Sequence, residues 1–579
     1  MNRELGKRTR LNLRLSHWRV FMVYSLLCLV LSLFFFQVLR GGHFAGLSTQ
    51  NKIRVIRTSS PRGEITDVHG APLAVSVRTF DIVGYPPDLR VKGTLAEVAR
   101  VLREQGIPAT AETLEENIRK QYWAPYRPVT VASNLTLGQV ASLVSDPDFP
   151  KVLSPTPVFR RVYPAGALTA HVVGYVGEVT REELASQSTR NYMVGDLIGK
   201  TGIELIHEET LKGVAAEEAV EVDAVGRRRK RLSMTPPVKG QNLRLTLDLG
   251  AQREAQQLLA GKKGVILAMD VRDGAVKVLY SSPSYDPNPL TWGVSAGEWA
   301  RLLKDPDRPM MNRAISGAYP PGSTFKAVPA LAALVEKVVT PRTTVFCPGQ
   351  FKLGNRVFRC WKRTGHGTVN LVSALKDSCD VYFYQVGVWL GIDRLIDWSS
   401  RLGVGQVTGI DLPGESRGNL AGREWKKKRF KEPWFQGDTV NYSIGQGFLL
   451  MTPLQLARIY AVFANGGTLV VPHLSASDHP QGTDLHIPSE AMGWVRKGME
   501  EVVKSGTGKA SGVYGVSVTG KTGTAQNPHG DDHAWFVGYA PSDAPRYVAV
   551  ALVEGGGHGS SVAAPMVGQV LAYLVGVER

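Results

Sequence analysis

Residues 319–335 read YPPGSTFKAVPALAALV. A Pro-Pro-Gly turn ends at Gly322, and Ser323-Thr324-Phe325-Lys326 opens an apolar run of helical character that Pro329 interrupts. Spacing of i, i+3 places Ser323 and Lys326 on one helix face, and a helix N-terminus lends positive potential to a developing alkoxide or oxyanion. In that setting a weak hydroxyl becomes a nucleophile. Lys326 must shed its proton to act as a base, which requires burial or a second nearby cation; Lys521 is the candidate for that cation.

The pattern S-x-x-K is weak alone, and residues 373–376 (SALK) repeat it. That copy is set aside because no Pro/Gly turn presents its serine and it falls in mid-helix. Two further motifs lend weight to the first copy. Ser378-Cys379-Asp380 follows Ser323 by 55 residues, and Lys521-Thr522-Gly523 comes another 143 residues on, read as the end of a strand over 516–519. Three short motifs in this order, on a helix start, an interhelical loop and an edge strand, are far more specific than any one. Two look-alikes are discounted. Residues 515–522 (GVSVTGKT) fit a phosphate-binding loop, but the interior alternates as a strand and no helix can start at 523–530 (GTAQNPHG). Lys200-Thr201-Gly202 repeats the K-T-G triplet upstream of the nucleophile, where coincidence explains it.

Outward from these motifs, residues 264–271 (GVILAMDV) and 275–280 (AVKVLY) read as strands joined by the Arg272-Asp273-Gly274 turn. Residues 515–519, 534–539 (AWFVGY) and 547–553 (YVAVALV) supply three more, and 565–575 a closing helix. About 230 mostly helical residues separate the two groups, so the sheet draws strands from both ends of the domain. Upstream, residues 41–240 mix short alternations with Pro/Gly breaks, an irregular α+β region carrying no evident chemistry. The stretch 233–240 (SMTPPVKG) reads as a linker before a strand at 242–247.

At 579 residues the chain exceeds one hydrophobic core, and 43% apolar with 21% charged residues excludes a disordered or multispanning protein. Residues 20–39 (VFMVYSLLCLVLSLFFFQVL) carry no charge and match the thickness of a bilayer core. Arg3, Lys7, Arg8, Arg10, Arg14 and Arg19 precede them against Glu4 alone, which keeps the N-terminus cytoplasmic and sends the rest across. The expected organisation is a basic cytoplasmic tail at 1–19, a membrane anchor at 20–40, one domain over 41–240 and a second over 241–579. A cleaved signal peptide is the rival, but the run is long and no clear A-x-A site follows. The net charge of +17 favours anionic partners, and the extracytoplasmic placement turns these from nucleic acid and nucleotides toward envelope polymers and lipid. Two basic runs, 227–231 and 426–429, read as solvated faces or loops.

Cys347, Cys360, His366 and Cys379 put three thiols and an imidazole within 33 residues. Four such ligands suit a structural tetrahedral Zn, and a single disulfide with one free thiol is the alternative. His533 and His558 read as loop or surface residues.

With these residues on view, the chain resembles the class B penicillin-binding proteins of the elongation type, the penicillin-binding protein 2 group. The likeness runs over nearly the whole chain: Arg62-Gly63-Glu64-Ile65 with Asp67, Gly70, Leu73 and Ala74; Gly199 to Glu204; Tyr319 to Lys326; Gly445-Gln446-Gly447; Thr452-Pro453; and Lys521 to Ala525. Residues 409–413 (GIDLP), Trp425 and 434–438 (WFQGD) turn it toward the elongation type. The second motif departs from the commoner pattern by ending in Asp380 rather than Asn. The resemblance implies an α+β fold: a single transmembrane helix, an elongated pedestal of the dimerisation type, and a transpeptidase domain built on an antiparallel five-stranded sheet flanked by helices.

It also implies the reaction. Ser323 would attack the carbonyl between two terminal D-alanines of a peptidoglycan stem peptide, and an amine of a neighbouring stem would resolve the acyl-enzyme into a cross-link during cell elongation. Lys326 would be the general base and Ser378 the proton relay. Lys521 with Thr522 and Thr524 would hold the terminal carboxylate, with Asp380 and Gly523 among the substrate contacts. The backbone N–H groups of Ser323 and Thr524 would form the oxyanion hole, each donor worth about 3 kcal/mol. β-Lactams would acylate the same serine, and no cofactor enters the chemistry. Some members carry a metal near the Cys/His cluster, which favours Zn. A glycan polymerase of the RodA type and an MreC-type scaffold are the implied partners. A β-lactam sensor or a membrane-anchored β-lactamase using the same Ser/Lys pair are the alternatives.

Overall fold

The structure is a computed structural model that describes residues 2–43, 52–121, 127–186, 192–193, 195–223, 228–513, 515–528 and 530–577. Helix α1 (Asn2–Phe34) runs on through a π-helical turn, Phe35–Leu39. Leu15–Leu39, continuing from it through that turn, is a 25-residue apolar stretch with no residue buried, long and apolar enough to cross a bilayer.

The chain divides into two compact units: 1–60 with 78–160 and 214–238, and 61–77 with 161–213 and 239–579. The smaller unit has its own core, in which Leu102, Leu114 and Ile118 of two amphipathic helices meet Ile82, Val129 and Leu143. A separate antiparallel sheet in it pairs Ile53–Thr58 with Ala216–Val222, and the latter with Arg228–Thr235. The first basic run therefore lies on a strand rather than a loop, with Arg229, Lys230 and Arg231 exposed as a solvated face. Its partner strand is rich in Glu, with Glu221 opposite Lys230, so opposite charges face each other across the ladder. Arg229 adds an ion pair to Asp223 at 3.2 Å, while Arg227 lies outside the described residues.

The larger unit is built on a five-stranded antiparallel sheet. Its strands are β1 (Gly264–Asp270), β2 (Val276–Ser282), β3 (Thr519–Ala525), β4 (His533–Ala540) and β5 (Tyr547–Val553), in the order β2-β1-β5-β4-β3. Every residue of β1 and β5 is buried. Helices cover both faces, which explains why GVILAMD and YVAVALV are continuous apolar runs without alternation. Helix α2 (Leu249–Leu258) packs on β2, α6 (Pro453–Asn465) on β5 and β1, and α8 (Ala563–Val577) on β5 and β4. The strand expected at 515–519 begins instead at Thr519, so Lys521 stands inside β3 rather than past its end. The remaining helices that shape the site are α3 (Ala327–Val335), α4 (Leu371–Lys376), α5 (Asp380–Leu390) and α7 (Ser489–Lys504).

Two segments quoted for the upstream likeness meet in this unit. Glu204 accepts from Arg62 at 2.8 Å and from Arg161 at 2.6 Å, and Glu208 takes a second ion pair from Arg62 at 2.8 Å. Burial raises the Glu208 carboxyl, but its bonds to the Arg62 guanidinium prevail and hold it below the usual carboxylate range.

Candidate active site

Ser323 sits on a 3-10 turn, Gly322–Lys326, that runs straight into α3, so the serine precedes the α-helix by one turn. Two glycines set this turn against β3. Gly322 has φ +55, and a Cβ there would come within 2.6 Å of the Thr524 carbonyl oxygen. A Cβ on Gly523 would meet Thr324 Cγ2 at 2.8 Å. Larger residues at either position would push the strand off the serine turn. β3 is the edge strand of the sheet, and its K-T-G segment pairs with β4 through Lys521 opposite Val537 and Gly523 opposite Trp535. Lys521 lies in the middle of a strand, which removes the phosphate-loop reading of 515–522.

The second motif joins α4 to α5. Ser378 takes a left-handed backbone conformation, φ +54, rare for a residue with a side chain. Lys326 is fully buried, and its Nζ donates to the Ser378 carbonyl at 2.9 Å, to Ser378 Oγ at 3.2 Å and to Asp380 Oδ1 at 2.6 Å. Asp380 Oδ2 accepts the Trp361 N–H at 2.8 Å. Thr522 Oγ1 and Thr507 Oγ1 share a hydrogen bond of 2.7 Å. Burial pushes Lys521 well below the ordinary lysine range, and the neighbouring Lys326 charge adds to the effect. An incoming carboxylate would reverse that trend by restoring a counter-charge.

A cavity of about 990 Å³ opens over these groups, lined by Ser323, Ser378, Asp380 and Thr522 to Thr524. Ser323, Ser378 and the Thr522–Thr524 segment of β3 therefore share one space, whereas Lys521 is fully buried and not on its lining. The same lining includes Asn441, Gln446, Arg359 and Arg363, to which the sequence reading gave no role. Gln446 stands within the G-Q-G triplet, a signal that was present; the arginines flank Cys360 and carry none. His558, read as a surface residue, also lines the cavity, and His533 starts β4 half-buried, accepting the Gly555 N–H at 3.2 Å. The discarded second S-x-x-K is structural: Ser373 accepts and donates around Asn370 at the start of α4. In the second basic run, Lys426 is buried on the helix Arg423–Phe430 and paired with Asp438 at 2.6 Å, so only its neighbours form a solvated face.

Cys347, Cys360, His366 and Cys379 bring one ligand atom each to within 4.8 Å of one another. All three thiols are free rather than disulfide-bonded. His366 Nδ1 lies 3.6 Å from Cys347 Sγ and 3.5 Å from Cys360 Sγ. Metal–ligand lengths of about 2.3 Å for sulfur and 2.0 Å for nitrogen give a tetrahedral edge of roughly 3.6 Å, so the donor set fits such an ion. The neighbouring Cys379 thiol lowers Cys360 below the ordinary thiol range, and the same contact pushes Cys379 up.

The family model for the penicillin-binding protein transpeptidase domain matches residues 264–572, and the one for the penicillin-binding protein dimerisation domain matches 57–245. The chain belongs to the penicillin-binding protein transpeptidase family. It is similar to the peptidoglycan D,D-transpeptidase MrdA of Haemophilus influenzae, with 37% identity over 568 residues, 91% of this chain and 86% of that protein. Among solved structures, it matches a complex between penicillin-binding protein 2 and MreC from Helicobacter pylori with a TM-score of 0.82, 31% identity, and coverage of 91% of this chain and 99% of the other. A chain from a study of how a peptidoglycan synthase complex coordinates polymerization and crosslinking matches with a TM-score of 0.74 at 32% identity, covering 97% and 98%.

Proposed function

We propose that this protein is a peptidoglycan D,D-transpeptidase that cross-links stem peptides through an acyl-enzyme on Ser323 during cell elongation and shape maintenance, and that β-lactams inhibit it there. Ser323 Oγ adds to the carbonyl of the penultimate D-alanine, and its proton passes to Lys326 in that residue's neutral amine form. The tetrahedral oxyanion is held by the Ser323 and Thr524 N–H groups. Collapse expels D-alanine, whose nitrogen takes a proton through Ser378, and the amine of a second stem then displaces Ser323. Lys521, Thr522 and Thr524 receive the terminal carboxylate of the donor. The observation that carries this reading is the fully buried Lys326 side chain, whose Nζ is bonded to both Ser378 and Asp380, two residues that line one cavity with Ser323.

The test is to label the purified protein with fluorescent penicillin, map the adduct by mass spectrometry, and follow D-alanine release from stem pentapeptides. Ser323→Ala should abolish both. Release that continues in the variant would sink the assignment. A β-lactamase would need a dedicated base for its deacylating water. The carboxylates on the lining are Asp380, already held by Lys326 and Trp361, and Asp532. A stable adduct argues against the lactamase, and D-alanine release against a pure sensor.

We further propose that the Cys/His cluster holds a structural Zn. Cys379 lies inside the Ser378-x-Asp380 motif and Cys360 precedes Trp361, so an ion there would brace both backbone segments that hold Asp380. Residues 1–19 would lie in the cytoplasm, 20–40 cross the inner membrane, and 41–240 and 241–579 face the periplasm as pedestal and catalytic domain. A RodA-type glycan polymerase and an MreC-type scaffold are the partners this placement suits, given the complexes in which its structural relatives were solved.

A further inference from the structure

The cavity has a wall that this chemistry leaves unused. The hairpin Gln350–Leu353 with Arg356–Arg359, and the turn after it, contribute Val357, Arg359, Trp361 and Arg363 to the lining. Val357 and Trp361 are 51% and 58% exposed and place apolar surface on the cavity wall. Arg359 and Arg363 are also exposed, and neither has a carboxylate partner among the described residues. Other arginines of this unit are engaged: Arg62 and Arg161 with Glu204, and Arg313 with Glu554.

The wall is anchored. The Tyr384 hydroxyl donates to the Arg359 carbonyl at 3.1 Å, the Trp361 N–H to Asp380 and the Trp361 Nε1–H to the Asp377 carbonyl at 3.1 Å. Cys360, between the two, belongs to the cysteine cluster. The guanidinium groups thus rise from a fixed backbone, which lowers the entropic cost of closing on a ligand. Asp380 adds no net repulsion or attraction here, being neutralised by Lys326 at 2.6 Å; Asp532 and His558 are the other titratable groups of the lining besides the thiol of Cys360 and the hydroxyl of Tyr384.

We propose that Arg359 and Arg363, with the face of Trp361, form a subsite for a second carboxylate of the acyl-donor peptide, distinct from its C-terminal one. This rests on the transpeptidase reading, in which β3 already takes the terminal carboxylate. A donor held there and laid across Ser323 places its upstream residues in the remainder of the cavity, where two unpaired guanidinium groups and an apolar face await. The chemistry selected is an acidic, partly apolar peptide, and bidentate guanidinium–carboxylate geometry suits the task better than a lysine would.

The test measures D-alanine release by the full-length protein from two donor peptides, identical except that the upstream carboxylate is free in one and amidated in the other. Hydroxylamine serves as acceptor, so that no carboxylate of an acceptor peptide contributes. The wild type should favour the free acid about tenfold in kcat/KM, mainly through KM. In the doubly substituted Arg359→Gln, Arg363→Gln protein the ratio should fall to near one. Because each ratio is taken within one preparation, a change in active fraction cancels. A wild-type ratio near one, or a ratio that survives both substitutions, overturns the subsite alone. Failure of the wild type to release D-alanine from either donor overturns the transpeptidase reading, and the subsite with it.

Discussion

Lys326 Nζ lies 2.6 Å from Asp380 Oδ1, a contact between a fully buried ammonium and a carboxylate only 11% exposed. The other carboxylate oxygen is committed to the Trp361 N–H, so both lone-pair faces are in use. An amide at this position has one acceptor oxygen, and its nitrogen cannot accept from a backbone N–H. Asp380→Asn must therefore give up one of the two contacts. The acylation rate with benzylpenicillin should fall by about 10- to 100-fold, a barrier change of roughly 1.4–2.7 kcal/mol. Stopped-flow acylation at the wild-type rate would show that the second oxygen is dispensable.

With the proposed Zn in the cluster, a chelator, or Cys347→Ala, should lower the thermal midpoint by about 5 °C or more and slow acylation by at least about threefold. Cys347 touches neither Ser323 nor Lys326 in sequence or motif, so the effect would pass through the Cys360–Trp361 and Cys379–Asp380 backbone. Elemental analysis should give close to one Zn per chain. Stripped protein with an unchanged melting curve and rate would remove the metal from the account.

Glu204 has no exposed side-chain surface and carries two guanidinium partners, Arg62 and Arg161. Glu204→Gln leaves those cations facing a neutral amide, and breaking a buried pair in this way costs about 3 kcal/mol. Urea unfolding should show the loss as a lower midpoint with little change in slope. A midpoint within error of the wild type would mean that Glu208 alone satisfies Arg62.

Burial lowers His171 to about 4, and its Nε2 sits 2.8 Å from the Pro309 carbonyl oxygen. The ring is therefore neutral in the fold, whereas the unfolded chain titrates near 6.5. A depressed basic group contributes stability that is fully present above the unfolded value and is lost as pH falls from about 6.5 toward 4; the whole window is worth about 3 kcal/mol. His171→Gln should flatten the decline in urea midpoint across that range. An unchanged acid limb would assign the decline to other groups.

The strand segments 264–271, 534–539 and 547–553 were legible because they are rich in apolar residues that the fold buries on both faces, and 275–280 because Lys277 is the one polar residue in an otherwise apolar run. The segment at 515–519 was misplaced by a few residues, since T-G-K-T-G-T-A has almost no apolar character and becomes a strand through its ladder with β4. Ser323, Ser378, Asp380 and Thr522 to Thr524 were named in advance and line one cavity, while Lys326 and Lys521, also named, are fully buried and off its lining. Arg359 and Arg363 were invisible because an arginine beside a cysteine carries no periodicity or spacing signal. The basic run at 227–231 read as a solvated face or loop; residues 229–231 are indeed exposed, but on a strand whose Glu-rich partner, Glu217 to Glu221, meets it only in three dimensions.

The order of amino acids alone determined what depends on neighbours within a turn or two: the uncharged span near the N-terminus, the apolar strands, the turn that offers Ser323, and the gathering of three thiols and an imidazole in one short stretch. Tertiary structure alone decided which distant groups touch. Asp380 clasping Lys326, β3 lying close enough to the serine turn to require Gly322 and Gly523, and Trp361 reaching Asp380 all depend on contacts between segments separated by tens to hundreds of residues. Such contacts are set by how helices and strands pack, and packing is a property of the whole chain that no local spacing encodes.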